Sequence, residues 1–307
     1  MLWFAINDSK SWLTNILLSL LQCLMYFRFS CKAFLELYEN TSQRLWLAMH
    51  KNTLLSLDAE KYGDVICYPI FDVDEFNNRI EELEKLHIES IEFSGRKRVR
   101  NIPVLGKGCV GIVVVAQREG KKVALKIRRR DADRSSMQHE AQMLARANKV
   151  DIGPHFLEIT DNFLLMEYIE GPLLPAWVEL LEGDKVVKQL RRVLLRVMEQ
   201  AWVLDQIGLD HGELSHAPKH IIVKRDDAPI ILDFESASIS RRVSNVSSLS
   251  QFLFLGSSLA ESVQRKLGFT NKDKLVTALR AYKRKGDRSS FDEVIGVLGF
   301  LQKYNRR

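Results

Sequence analysis

The sequence predicts an α+β fold with its strands gathered ahead of most of its helices. Three observations lead there. Val99 to Arg129, VRNIPVLGKGCVGIVVVAQREGKKVALKIRR, holds β-branched runs on either side of a polar turn at Arg118–Lys122. Lys185 to Ile207 puts Leu190, Val193, Leu194, Val197, Met198, Ala201 and Leu204 on one helical stripe. Between His211 and Glu235 the apolar triplets Ile221–Val223 and Ile230–Leu232 flank an Asp-Asp-Ala-Pro turn, the pattern of a tight strand pair. A chain of 307 residues is long enough for two lobes or for one domain with extensions.

Composition narrows the class. Hydrophobic residues make up 46% and charged residues 27%, ordinary values for a globular protein, and no repeat or collagen-like bias is present. The net charge of +6 makes the surface mildly basic. Basic runs at Arg96–Arg98, Arg128–Arg130 and Lys283–Lys285 could meet phosphates, RNA or an acidic partner. No aromatic residues interleave with them, so a solvated face is the expectation and an RNA or ribonucleoprotein partner rests on charge alone. Cys23, Cys31, Cys67 and Cys109 have neither metal nor disulfide spacing, which points to a reducing, cytoplasmic setting and no zinc site.

The most apolar stretch is Ser11–Phe27. Its length is marginal for a membrane span, which needs roughly twenty apolar residues. Thr14, Asn15, Ser19 and Gln22 weaken that reading, and no small-residue cleavage site follows. The expectation is therefore an N-terminal helical extension without a membrane anchor, or a segment foreign to a product that begins at Met49. Were it to span, the heavier positive charge at Arg28 and Lys32 would keep the main domain in the cytoplasm.

Asp72–His87 places Phe76, Ile80, Leu83 and Leu86 at helical spacing behind an acidic first turn, and Ile88–Phe93 alternates as a strand. Gly106, Gly108 and Gly111 form G-x-G-x-x-G. The last glycine opens Ile112–Val115, a strand former, so the glycines close a β-hairpin rather than start a helix, with Val113 just beyond. Glycines there let backbone N–H groups approach phosphate oxygens. Lys126, in Val-Ala-Leu-Lys, is a cation among apolar neighbours and requires a partner. Glu140 supplies a candidate: it shares a helical face with Met137, Leu144 and Ala147 in a helix read from Asp133 to Lys149, with Ser135-x-x-Gln138 as its capping box. Phe163–Tyr168 reads as a buried strand ending at a Glu170-Gly171-Pro172 hinge. A helix is expected from about Ser248 to Leu267, and basic helices from Thr270 to Arg307. The Ile221–Leu232 strand pair would bring Glu213 and His220 beside Asp233 at its open end, and such carboxylates suit Mg²⁺.

Glycine hairpin, Val-Ala-Leu-Lys, helical Glu, Met-Glu-Tyr hinge, His-Gly-Glu-Leu loop and Asp-Phe-Glu stand in an order that resembles the protein-kinase superfamily. The resemblance covers roughly Val99–Leu267 and is strongest to small atypical kinases: the RIO type, the KEOPS-complex kinase and an archaeal group of predicted serine/threonine kinases. It implies a two-lobed fold, with a β-rich N-lobe at 99–170 carrying one regulatory helix and a mainly helical minimal C-lobe at 171–307. Residues 49–98 would be a helix–strand prefix and 1–48 an apolar extension. It implies ATP and Mg²⁺ as cofactors and transfer to a serine or threonine hydroxyl of a protein, the chain itself included. Gly106, Gly108 and Gly111 would cover the phosphates. Lys126 would hold them and pair with Glu140. Val113, Ala124 and Met166 would border the adenine, Glu167 and Ile169 would offer backbone contacts, and Asp233 would bind the metal.

This chain departs from that family at three places. Glu213 replaces the catalytic aspartate and is one methylene longer, enough to displace a hydroxyl acceptor by about an ångström. His220 stands where an asparagine ordinarily binds a second Mg²⁺, and an imidazole is a poorer ligand for that ion. Glu235 replaces the glycine of Asp-Phe-Gly; its carboxylate could add a metal ligand, and a salt bridge to a nearby arginine is its expected use. His211 is expected to be structural and His216 exposed. The two departures in the catalytic loop keep a nucleotide-binding scaffold without transfer in view, and the basic charge keeps a RIO-like ATPase coupled to RNA or ribosome assembly.

Overall fold

The computed structural model describes residues 59–133, 137–268 and 271–300, all within the compact unit Leu57–Arg307. The Ser11–Phe27 run, Met49 and Ser135 lie outside the described residues. Among those described, no helix is long and apolar enough to cross a membrane.

Two helices precede the sheet, α1 (Ala59–Ile66) and α2 (Val73–Lys85). Asp72 caps α2 by accepting the Glu75 N–H at 2.9 Å, and Asp74 and Glu75 face the positive end of its dipole. The buried face of α2 contains Phe76, Ile80 and Leu83 as the spacing predicts, and it also contains Arg79. Arg79 is wholly buried. Its guanidinium donates to the Ile66 carbonyl at 2.5 Å, the Arg128 carbonyl at 2.8 Å and Asn162 Oδ1 at 3.0 Å, with Nε 2.6 Å from Glu75. One side chain thus ties the helical prefix to the sheet behind it. Arg128 of the basic run joins the same knot through Asn162, Arg129 pairs with Asp131, and Arg130 donates to the Ile70 carbonyl. That run is engaged by the protein's own polar groups.

The N-lobe is an antiparallel sheet in the order β1-β5-β6-β8-β7, with β4 also on β5. Its strands are β1 (Ser90–Glu92), β4 (Gly106–Lys107), β5 (Gly111–Arg118), β6 (Lys121–Arg128), β7 (Phe156–Ile159) and β8 (Phe163–Glu167). A separate pair, β2 (Lys97–Val99) and β3 (Ile102–Val104), precedes it. Flanked on both edges, β6 is buried from Val123 to Ile127, as a central strand of β-branched and aliphatic residues should be. Register sets Lys126 opposite Val113 and Leu164, and Ala124 opposite Met166. Helix α3 (Gln138–Asn148) starts five residues later than the sequence pattern predicts, capped by the backbone at Met137 without a side-chain bond. Its Met143, Leu144 and Ala147 enter the C-lobe core, so α3 belongs to both lobes.

The C-lobe is built on α5 (Val186–Gln206), whose buried stripe is the one expected, extended by Asp205. It is preceded by α4 (Leu174–Leu180) and followed by the hairpin β9 (Ile221–Val223) and β10 (Pro229–Ile231), with Ile221 opposite Ile231. The hinge lies directly on this hairpin: a Cβ at Gly171 would collide with the Val223 carbonyl, which accounts for the glycine there. The single helix expected over 248–267 is instead α6 (Asn245–Ser250), a π-turn over Gln251–Leu255 and α7 (Ser258–Leu267). Ser257 makes the break: its hydroxyl donates to the Phe252 carbonyl at 2.5 Å, and its oxygen accepts the Ala260 N–H at 3.0 Å. Helices α8 (Lys272–Lys285) and α9 (Arg288–Val297) follow. This is the two-lobed α+β arrangement that the kinase resemblance implies.

Replacing Arg79 with leucine removes a buried charged donor from two carbonyls and an amide. The expected loss is about 3 kcal/mol of unfolding free energy in urea titrations. A loss below roughly 1 kcal/mol would mean that the prefix is not anchored through this residue.

Candidate active site

Lys126 projects from β6 with 5% of its side chain exposed. Its Nζ lies 2.7 Å from Glu140 Oε2, 2.9 Å from Glu235 Oε2 and 3.1 Å from Asp233 Oδ1. The ammonium donates hydrogen bonds to Asp233 and Glu235, and Glu140 completes the cluster as an ion pair. Burial alone would lower the lysine pKa, but the three acids outweigh it and hold the group protonated, above the ordinary lysine range. The partner expected at Glu140 is present. Glu235 also meets this lysine, a partner that the sequence reading did not name for it. Ligand oxygens of Glu140, Asp233 and Glu235 all lie within 4.8 Å of one another, an oxygen-donor set of the kind a hard divalent cation takes. His220 stands outside that set.

The glycine turn closes over the lysine. Gly106 pairs with Val113, and the Gly108 N–H donates to the Gly111 carbonyl at 2.8 Å. A Cβ on Gly111 would come within 2.9 Å of Lys126 Cγ and 3.0 Å of its Cε, so a side chain there would push the lysine aside. Towards the hinge, Ala124 and Met166 sit opposite each other on β6 and β8. The Glu167 N–H donates to the His155 carbonyl at 2.8 Å. Ile169 is buried beside it.

Asp233 follows β10 with φ at +67°, a left-handed conformation that aspartate tolerates at a cost and that recurs at functional sites. Burial works to raise its pKa. The Lys126 ammonium beside it prevails and holds it below the ordinary carboxylate value. Phe234 is buried in the C-lobe core with its ring 5.1 Å from that of His211.

Glu213 lies between a serine hydroxyl and a buried imidazole, and only the hydroxyl is hydrogen-bonded to it. Its Oε1 accepts the Ser236 hydroxyl at 2.5 Å, and its Oε2 lies 3.3 Å from His220 Nε2. His220 is fully buried, and burial pushes its pKa down to about 4, so the imidazole is neutral at pH 7. His211 meets it edge-on at 5.7 Å, and its own Nε2 donates to the Leu232 carbonyl at 2.9 Å, the structural role expected of it. His216 is exposed.

The loop itself is fixed by residues that spacing did not single out. Asp205 accepts the Asn245 N–H and side-chain amide at 2.9 and 2.8 Å and the Tyr282 hydroxyl at 2.8 Å. Asn245 in turn accepts the His211 N–H at 2.8 Å. Asp210 pairs with Arg241 at 2.6 Å and accepts the Ser244 N–H at 2.9 Å. Ser236, Arg241 and Asn245 belong to the Ser-rich bridge after Asp233-Phe234-Glu235. Its density of short polar side chains, which favour local backbone bonds, was the available signal.

A 136-residue stretch of the chain is 31% identical to the serine/threonine-protein kinase YabT of Bacillus subtilis. The similarity supports a relationship to the protein kinases. It covers 41% of this chain and 38% of the length of that relative. No protein-family model matches the chain.

The neutral state of His220 has a pH signature. Its folded pKa of about 4 lies below the reference 6.5, so the unfolded chain binds the proton more readily. Stability from this group is complete above pH 6.5 and falls as pH drops towards 4, by up to about 3 kcal/mol at pH 4. In His220→Asn the decline of unfolding free energy across that window should be shallower by that amount. Equal slopes in the two proteins would contradict a buried neutral imidazole.

Proposed function

We propose that the protein is a serine/threonine protein kinase of the small atypical type that uses ATP and Mg²⁺ and works in the cytoplasm. The observation that carries this reading is the meeting of Lys126 with Glu140 and Asp233, three residues distant in sequence that the fold brings to one ammonium beneath a glycine turn. Lys126 offers a protonated donor to the nucleotide's phosphates, and Glu140 aims it. Val113, Ala124 and Met166 form the apolar walls for a purine, and Glu167 and Ile169 its hydrogen-bonding rim. Asp233 supplies carboxylate oxygens for the metal, with the neighbouring acids of its cluster. Bound Mg²⁺ would neutralise charge on the β- and γ-phosphates.

Glu213 orients the acceptor hydroxyl and takes its proton as the new O–P bond forms. The bond from the γ-phosphorus to its bridging oxygen breaks, and ADP leaves. The extra methylene of Glu213 is met on one side, where the Ser236 hydroxyl bonds Oε1. His220 lies beside that acid, outside the oxygen-donor cluster. The same bond favours one other reading, a nucleotide-binding protein without transfer, in which Glu213 is retained as part of a fixed loop. In that case ATP raises the melting temperature and no phosphoprotein forms with any metal.

Incubation of the purified chain with γ-labelled ATP, Mg²⁺ and a generic protein acceptor separates the two readings. Labelled serine or threonine is expected, falling by more than about a hundredfold in Lys126→Met and Asp233→Asn. Undiminished label in either variant would refute the assignment. Glu213→Asp is expected to lower transfer by about tenfold or more, since the shorter arm leaves Ser236 and His220 behind.

A further inference from the structure

Glu235 is the departure from the kinase pattern that lies deepest in the site. A carboxylate stands where the resemblance expects a glycine without a side chain. Its Oε2 is 2.9 Å from Lys126 Nζ, and only 14% of its side chain is exposed. The same oxygen lies 3.8 Å from the point where a Cβ on Gly108 would stand. Glu235 therefore reaches from the end of the C-lobe hairpin to the space between the lysine and the glycine turn. A kinase function assigns that space to the polyphosphate, and the role inferred for Glu235 rests on that assignment.

Each of the three acids around the ammonium holds a different position. Glu140 is fixed on α3, 5% exposed, and orients the lysine from behind. Asp233 is a third exposed and turned inward by its left-handed backbone. Glu235 lies on the face that an entering phosphate must use. A phosphate oxygen that binds Lys126 displaces this carboxylate or settles against it. Two like charges this close to one another near a protein surface repel. A nucleotide that arrives with a divalent cation carries the positive charge onto which a displaced carboxylate can turn. A metal-free nucleotide carries none.

We propose that Glu235 is a specificity-determining residue that occupies the phosphate position on Lys126, so that the site accepts a nucleoside triphosphate as its metal complex and rejects the free anion. The carboxylate imitates a phosphate oxygen in charge, in size and in its bond to the lysine.

The test is binding, which needs no turnover. Fluorescent mant-ATP is titrated into the full chain and into Glu235→Gln, once with excess Mg²⁺ and once with EDTA. In wild-type protein the Kd for metal-free mant-ATP should be far weaker than for the Mg²⁺ complex. In Glu235→Gln, which keeps shape and removes charge, the metal-free Kd should tighten by about tenfold or more. Glu235→Gly should do the same, and melting curves of both variants verify that folded protein is titrated. An unchanged metal-free Kd in both variants overturns the proposal and makes the contact a structural latch. An unchanged metal-free Kd with a weaker Mg²⁺ complex overturns it too, and makes Glu235 a metal ligand. Absence of binding in both proteins with Mg²⁺ present removes the proposal together with the kinase function on which it rests.

Discussion

A protonated lysine cannot be buried in apolar surroundings without compensation, and the two lobes share the compensation for Lys126. Its strand and the helix of Glu140 come from the N-lobe, while Asp233 and Glu235 come from the end of the C-lobe hairpin. Removing the ammonium would leave three carboxyl groups facing one another in a poorly solvated space, and removing one acid would leave the lysine the other two. The contact therefore couples the lobes asymmetrically, with the cation as the indispensable member. Helix α3 strengthens the coupling by a different means. Its polar face delivers Glu140, and its apolar face, Met143, Leu144 and Ala147, is continuous with the core around α5.

The loop that carries Glu213 is positioned by a second set of buried acids. Asp205, at the end of α5, fixes Asn245 and Tyr282, and Asn245 holds the backbone of His211. Asp210 is neutralised by Arg241, whose guanidinium also donates to the Ser236 carbonyl at 2.9 Å. Ser236 then bonds Glu213. The loop bearing the acid and the bridge after Asp233 are thus one hydrogen-bonded unit, and the bridge does the fixing that a longer segment would otherwise do.

Much of this was legible in the sequence, and what was not has identifiable causes. A lone lysine in an apolar strand and a lone glutamate on an apolar helix face each need a counter-charge, and their order made them partners. The α5 stripe and the hairpin follow from periodicity alone. Arg79 escaped because a cation within an apolar stripe is ordinarily read as its solvated edge, and its carbonyl partners, Ile66 and Arg128, leave no mark in side-chain patterns. The contact of Glu235 with Lys126 escaped because the two lie more than a hundred residues apart and only the fold sets them together. The break after Gln251–Leu255 escaped because Ser257 closes it through a carbonyl five residues back, a tertiary event on an otherwise helical pattern. Helix α3 starts late for want of a side-chain cap at Met137.

The three departures from the kinase pattern have a common electrostatic consequence. The pattern sets an aspartate, an asparagine and a glycine around the reacting phosphates, and this chain sets Glu213, His220 and Glu235 there. An imidazole in the asparagine position could have offset an added carboxylate, but burial keeps His220 neutral at pH 7. Among the described residues the cluster thus holds one ammonium and three carboxyl groups. On the proposed reading, a polyanion that reaches this lysine meets acids already engaged with it, and a divalent cation would offset that repulsion. The dependence on such a cation, which in the kinase pattern serves chiefly the transfer step, would then extend to binding itself.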